Sequence, residues 1–248
     1  MPMPDHALSG FPAENLIFPV RSLHLEVAEG EHPFVCDKRT AIAENWQAEH
    51  AANPSLYDGR MVLQHRLSHD DGAIRGRAFM IPFSAFLYWR RAERPVEAAH
   101  LFAMPLILTK DGALIAIRMA ETTANPGRVY CAAGSMDASD VFDGRLDIDF
   151  NMRREVGEET GLDLGDALAD PVAHACWSQN TVTIFRRFRF DLSEADIVER
   201  IGAHIASEAE PEISAAVPIR SADPQAHDYA FFMPPILGWL TEQKDIRP

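Results

Sequence analysis

Residues Arg154-Glu155-Val156-Gly157-Glu158-Glu159-Thr160-Gly161-Leu162 decide how this chain is read. Three carboxylates fall within five positions, beside an arginine, and the run stops at a glycine. On a helix, Glu155 and Glu158 are three apart and Glu155 and Glu159 four apart, so the side chains share one face. Like charges so placed repel by about a few tenths of a kcal/mol per pair. A hard divalent cation would offset that repulsion, because Mg²⁺ and Mn²⁺ take oxygen ligands. The same run also reads as an ordinary acidic helix closed by a glycine cap.

Size and composition narrow the field. The 248 residues are enough for one large domain or two small ones. No apolar run is long enough to span a bilayer, so no membrane association is expected. The opening MPMPDHALSG lacks the basic and apolar regions of a secretory signal. Cys36, Cys131 and Cys176 are odd in number and widely spaced, which fits buried thiols in a reducing compartment. A cytoplasmic location is therefore expected. His65 and His69 fall in a strand-like run, where four residues span roughly 13 Å, too far for one metal. The net charge of −14 argues against a nucleic-acid surface, yet a few arginines and a bound cation suffice for a small phosphorylated ligand.

The pattern along the chain is α/β, in the α+β sense. Residues 1–97 read as an N-terminal α/β domain. It holds a strand over Leu16 to Val27, a helix over Thr40 to Ala52, and strands Arg60 to Leu67 and Ala73 to Pro82 flanking an Asp-Gly turn. A short aromatic element, Phe83 to Trp89, leads to a linker at Glu93-Arg94-Pro95. Residues 98–248 read as a second domain. Its strands are His100 to Leu108, Ala113 to Arg118 and Arg128 to Ala133, followed by a loop and a helix over Asp149 to Thr160. Then come a hairpin across Gln179-Asn180, a helix capped by Ser193, and a strand over Glu212 to Ile219. An apolar helix over 226–243, interrupted at Pro234-Pro235, ends the chain. Its aromatics (Tyr229, Phe231, Phe232, Trp239) read as core rather than as a ligand box.

Arg154 to Leu162 is similar to the second half of the Nudix box, the signature of Nudix hydrolases, at every fixed position. The resemblance implies a mixed sheet between helices and a pyrophosphohydrolase that cleaves a nucleoside diphosphate linked to another moiety. It implies Glu155, Glu158 and Glu159 as catalytic Mg²⁺ (or Mn²⁺) ligands, with Arg154 fixing a glutamate rotamer. It places Arg118, at the end of a strand, near substrate phosphate or the glutamates, and Gly134 beside substrate. A further carboxylate outside the box is expected as base or ligand; Glu212 is the first choice and Glu210 the second. The histidines His174, His204 and His227 read as structural or exposed. Gly157, in the helix interior, reads as close packing on the sheet or close approach of a ligand.

The first half of the box departs from the pattern. Ala132-Ala133-Gly134 keeps one glycine of the usual pair, Leu146 stands where a glutamate is usual, and Gly134 to Arg154 is longer than in the family. The intervening Asp-rich loop reads as solvated surface. These departures leave a second reading: a weakly catalytic Nudix-fold module that binds or senses a nucleotide. Trp177, Ser178 and Gln179 stand where the ADP-ribose and dinucleoside polyphosphate branches carry their markers. The segment Ala41 to Leu67 resembles the N-terminal region of the UDP-glucose/UDP-galactose diphosphatase branch, which implies a UDP-sugar-like substrate and an N-terminal domain closing over base or sugar. Trp46, Tyr57 and Trp89 are candidates for stacking there, with core packing the simpler reading. The family's frequent dimers admit a homodimer, though no stretch marks an interface.

Overall fold

The computed structural model describes residues 6–247. Residues 1–5 of the opening stretch and Pro248 lie outside the described residues, so the expectations at both ends are addressed only in part. In chain order the first half holds β1 (Leu8–Ser9), β2 (Phe18–Val20), β3 (Ser22–Ala28), α1 (Pro33–Ala52), β4 (Arg60–Asp70), β5 (Ala73–Pro82) and α2 (Phe83–Arg91). Then follow β6 (His100–Leu108), β7 (Leu114–Met119), β8 (Val129–Tyr130), β9 (Val141–Phe142), β10 (Arg145–Leu146) and α3 (Ile148–Thr160). The last elements are β11 (Leu168–Ala169), β12 (Ala173–Ser178), β13 (Thr181–Arg189), α4 (Glu194–Ser207), β14 (Ile213–Ile219) and α5 (Met233–Glu242).

Two mixed sheets result. One runs β1-β4-β5-β3-β10-β9 and the other β14-β7-β6-β13-β12-β2, with β8 on β7 and β11 on β13. In the second sheet β6 and β13 are parallel and the other pairs on that path are antiparallel. Neighbouring residues of a strand point to opposite faces. On β13, Arg186 ion-pairs with Asp149 of α3 at 3.1 Å, while Phe185 meets the Trp239 ring of α5 at 5.5 Å. The sheet is therefore held between α3 and α5, the mixed-sheet arrangement expected from sequence.

Local chemistry explains the turns. β4 and β5 pair from Arg60↔Pro82 to Asp70↔Ala73, and the turn sets Asp71 at φ 41° and Gly72 at φ 78°. Two left-handed residues are what a tight hairpin requires, and glycine adopts that φ without a Cβ penalty. Gln179 and Asn180, at φ 50° and 53°, close the β12–β13 hairpin in the same way. The side chain of Ser193 caps α4 by accepting the Asp196 amide.

Several expectations shift. Leu16 to Val27 is two strands, not one. Arg21 and Ser22 both donate backbone N–H to Gly72 O, which turns the chain there; β2 then joins β12 in one sheet and β3 joins β5 in the other. The first helix starts at Pro33, seven residues (40 − 33) before Thr40, because the His32 ring accepts the Phe34 amide and proline suits the first helical turn. Pro234-Pro235 does not interrupt a helix but begins α5, where the missing N–H groups would be unbonded anyway. Cys131 and Cys176 are buried thiols; Cys36 is free but exposed on α1. Among the described residues no helix is long and apolar enough to cross a membrane.

A large core joins both sheets, with Leu25, Val62 and Ile74 of the first packed into the same cluster as Leu106, Met152 and Phe185. A smaller one lies under α1 and α2, around Phe34, Leu63, Ile81 and Trp89. Trp89 is fully buried and donates its indole N–H to Pro95 O at 3.1 Å, as a buried indole must.

Candidate active site

The helix α3 is fixed at both ends. The Asp147 carboxylate accepts the Phe150 amide at 2.9 Å at its start. Gly161, at φ 69°, ends it, and a Cβ there would also stand 2.8 Å from the His204 ring. Its last turns therefore present the three glutamates at one place. Glu155 and Glu159 are buried at 8% and 7% exposure, while Glu158 reaches solvent. All three line a cavity of about 590 Å³ together with Gly134, Arg154 and Glu212. Glu208 and Glu210 stand on the same wall. Arg118 does not: it is exposed on β7 and lines neither this cavity nor the one beside it.

Gly134 is tightly placed. A Cβ on it would come 2.2 Å from the Glu155 carboxyl group, so a side chain here would have to displace that carboxyl. The next residue back also contributes, since the Ala133 amide donates to Glu159 Oε2 at 3.0 Å. Only Val129–Tyr130 of the expected 128–133 strand is extended in the sheet, and the freed amide of Ala133 serves the glutamate instead. Gly157 faces open space where a Cβ would stand, so close packing on the sheet is not its role.

Arg154 organises the cluster. It contacts Glu155 at 2.8 Å and Glu158 at 2.8 Å, and it donates through Nε and a terminal nitrogen to Asp140 at 3.2 and 2.9 Å. Asp140 is fully buried and accepts two further bonds, from the Asn151 amide group and from the Asp137 backbone. Burial works against the Arg154 charge, but Asp140, Glu155 and Glu158 outweigh it and raise its pKa. Asp140 was hidden in what read as a solvated loop. That loop instead forms the short β9–β10 hairpin, whose Arg145 pairs with Glu26 of the first sheet. A buried aspartate fourteen residues (154 − 140) before an arginine has no periodic signal that would have found it.

The carboxylates outnumber the one cation, Arg154, that meets them. Burial, with Glu158 and Asp140 adding and Arg154 opposing, pushes the Glu155 carboxyl up to about 7. Burial, then the Glu155 and Glu212 carboxylates, hold Glu159 well above the usual carboxylate range, and the Ala133 amide offsets this only in part. Among the described residues no three such side chains form a ready-made metal cage, since Arg154 lies between two of them. The donor set still fits a hard divalent cation: all oxygen, short of counter-charge, and beside a glycine that leaves room.

A second cavity, of about 300 Å³, shares Gly134 and Ser135 with the first. Phe86, Arg90, Arg94, His100, Phe102 and Tyr130 line it. Tyr229, Phe231 and Phe232 line it too; Tyr229 also belongs to the large apolar core and Phe232 and Trp239 pack against it, as their reading as core expects. Of the stacking candidates, Trp89 reaches this wall, Tyr57 is exposed, and Trp46 packs beside His50 on α1. Burial, with Arg90 and Arg94 adding, pushes the His100 ring down to about 3, so it is neutral. His204 bonds Glu158 O at 2.9 Å, His174 stacks on Phe185, and His227 lies against Tyr229. The basic run around Arg90, Arg91 and Arg94 in so acidic a chain was the available signal for this cavity.

No protein-family model matches the sequence, and no curated protein matches it. Solved structures do. The MutT protein from Methanosarcina mazei Go1 is similar at 15% identity and TM-score 0.40, over 58% of this chain and 94% of that one. The NUDIX domain of Shewanella oneidensis NrtR, complexed with ADP ribose, is similar at 11% identity and TM-score 0.37, over 58% and 88%. A bifunctional NMN adenylyltransferase/ADP ribose pyrophosphatase from Francisella tularensis, complexed with AMP and a Mn ion, matches at 14% identity and TM-score 0.39, over 64% of this chain and 46% of that one.

Proposed function

We propose that the chain is a Nudix-type pyrophosphohydrolase, Mg²⁺-dependent, that cleaves the diphosphate of a nucleoside diphosphate linked to another moiety, with a nucleotide sugar as the substrate class. One observation carries the reading. The three glutamates of α3 and Glu212, from the start of a distant strand, meet on one cavity whose near wall is a side-chain-free Gly134.

Glu155, Glu158 and Glu159 would hold the cation. Bound there, Mg²⁺ or Mn²⁺ would neutralise the diphosphate and acidify an attacking water. The rest falls to the chain's own groups. Ala133 N–H orients Glu159, and Asp140 holds Arg154 against Glu155 and Glu158. Glu212, exposed on the rim, would accept a proton from the water whose oxygen bonds to phosphorus as the bridging P–O bond breaks. Residues 98–248 would supply the chemistry, and residues 1–97 would close over the base or sugar.

The test is a panel of UDP-sugars, ADP-ribose and coenzyme A with millimolar Mg²⁺ or Mn²⁺, run beside Glu159→Gln. Release of a nucleoside monophosphate from at least one compound is expected. Glu159→Gln should lower kcat at least about a hundredfold while the protein stays folded. Silence across the panel would sink the hydrolase reading. One contact favours a second reading: Arg154 already ion-pairs with two of the three glutamates, as suits a nucleotide-binding module with weak turnover. Tight binding without product would select it.

A further inference from the structure

Arg90, Arg94 and Arg128 line the second cavity and Arg91 lines the groove beside it, and the four divide by partner. Arg91 forks onto Glu49, with bonds of 2.5 and 2.9 Å, and Arg128 pairs with Asp228 at 2.5 Å. Arg90 and Arg94 have no carboxylate within ion-pair distance among the described residues. Instead each is aimed by a neutral amide: Arg90 donates to Asn125 Oδ1 at 2.8 Å, and Arg94 to Gln179 Oε1 at 2.8 Å. Amide partners orient a guanidinium without cancelling its charge. Both side chains are half-buried, and burial lowers both pKa values. In a chain with 37 acidic and 23 basic residues, partners of opposite sign are plentiful. Two arginines left unpaired in a recess therefore point to an anion that arrives from outside.

The rest of the recess is aromatic. His100 stacks on Phe102 at 5.4 Å and 15°, Phe102 meets Phe232 edge-on at 4.9 Å, and Arg94 lies over the Phe231 ring at 4.6 Å. His100 also lies 3.4 Å from the Ser135 hydroxyl, so polar atoms face the ring space. A volume near 300 Å³ is at the lower end for small-molecule sites. It opens past Gly134 toward the glutamates.

We infer that this recess is the subsite for the nucleotide half of the substrate, with a base against the Phe102–Phe232 wall and its phosphate on Arg90 and Arg94. Arg90 and Arg94 come from α2 and the turn after it, so the N-terminal segment contributes to selecting what the carboxylate cavity cleaves. The assignment rests on the diphosphate reading for its orientation, but its test needs neither metal nor turnover.

Calorimetric titration of the whole protein in EDTA would use AMP, GMP, CMP and UMP, the parent nucleosides, ribose 5-phosphate and inorganic phosphate. At least one monophosphate should bind at micromolar to sub-millimolar Kd. Its nucleoside and ribose 5-phosphate should each bind about tenfold or more weakly, since a charge-assisted bond and a stacked ring each contribute on that scale. Arg94→Gln should cost the monophosphate about ten- to a hundredfold and leave the nucleoside's affinity unchanged. Arg90→Lys, which keeps the charge but not the fork, should fall between, with melting curves confirming the fold of each variant. Affinity untouched in Arg94→Gln, or ribose 5-phosphate binding as well as every monophosphate, would overturn the assignment. Turnover of a nucleotide sugar with KM unchanged in Arg94→Gln would overturn it while sparing the hydrolase reading. Monophosphate binding with no turnover on any substrate would do the reverse.

Discussion

The two cavities on either side of Gly134 are built to opposite specifications. One gathers more carboxylates than its single Arg154 can match; the other holds two arginines, Arg90 and Arg94, that face neutral amides rather than carboxylates. Neither imbalance is a surface accident, since Glu155 and Glu159 are buried and Arg90 and Arg94 half-buried. The difference teaches that the molecule stores unmatched charge of both signs close together and separates them by a backbone without a side chain. A diphosphate with a cation on one end and a nucleoside on the other would satisfy both.

The sharpest way to break this pairing is at the wall. Gly134→Ala puts a Cβ into the Glu155 carboxylate, and turnover should fall about a hundredfold or more, because displacing a catalytic group by an ångström has effects of that size. Steady-state kinetics with unchanged far-ultraviolet dichroism would show it; normal turnover would mean Glu155 is free to move and is not held for catalysis. Next comes the support beneath the acidic side. Asp140→Asn leaves Arg154 without its buried carboxylate and should cost about 3 kcal/mol in urea denaturation, the range for breaking a buried ion pair. A cost below about 1 kcal/mol would show the pair to be dispensable.

Titration should separate the two sides. A carboxyl raised to about 7, as Glu155 is, favours the folded state below its unfolded pKa, and that contribution is lost as pH rises from about 4.5 to about 7. His100, pushed down to about 3, and His32, down to about 4 by burial, behave oppositely. Their contribution is complete above about 6.5 and is lost as pH falls toward those values. Melting in EDTA should therefore peak near pH 6.5, with the alkaline limb, the part of the Glu155 loss above that peak, worth about 0.7 kcal/mol. Glu155→Gln or millimolar Mg²⁺ should flatten that limb and leave the acid limb in place. An alkaline limb unaffected by either would place the titrating group elsewhere. The smallest effect on activity belongs to Gly157→Ala. Open space at that Cβ predicts a gain of about 1 kcal/mol in stability with activity kept. Lost activity would instead mark close approach of a ligand.

Legibility in the sequence follows the range of the contacts. The acidic side was readable because three of its carboxylates ride one helix, where spacing fixes direction, and Glu212 directly precedes β14, beside the expected position of a further carboxylate. Its support was not, because Asp140 reaches Arg154 through a loop with no period. The arginine side draws on α2, β6, β8 and the residues before α5, so beyond the basic run at Arg90, Arg91 and Arg94 no local pattern marks it. Phe231 and Phe232 read as part of a helix over 226–243; they lie in the approach to it, since Pro234-Pro235 can start α5 but not sit inside it. The 16–27 run shows the same limit, because alternation marks extended chain but not which sheet receives it.

That exchange of strands has a mechanical side. β2, from the first part of the chain, is stitched to the edge of the second sheet, and β10, from the second part, is stitched to the first sheet through Arg145↔Glu26. Each half thus holds a stitch in the other, with a common apolar filling between them. Pulled at its ends, or met by a protease, such a molecule has no loose seam at residue 97. Loosening either sheet tugs on the other, and on the single-atom partition where the two charge stores meet.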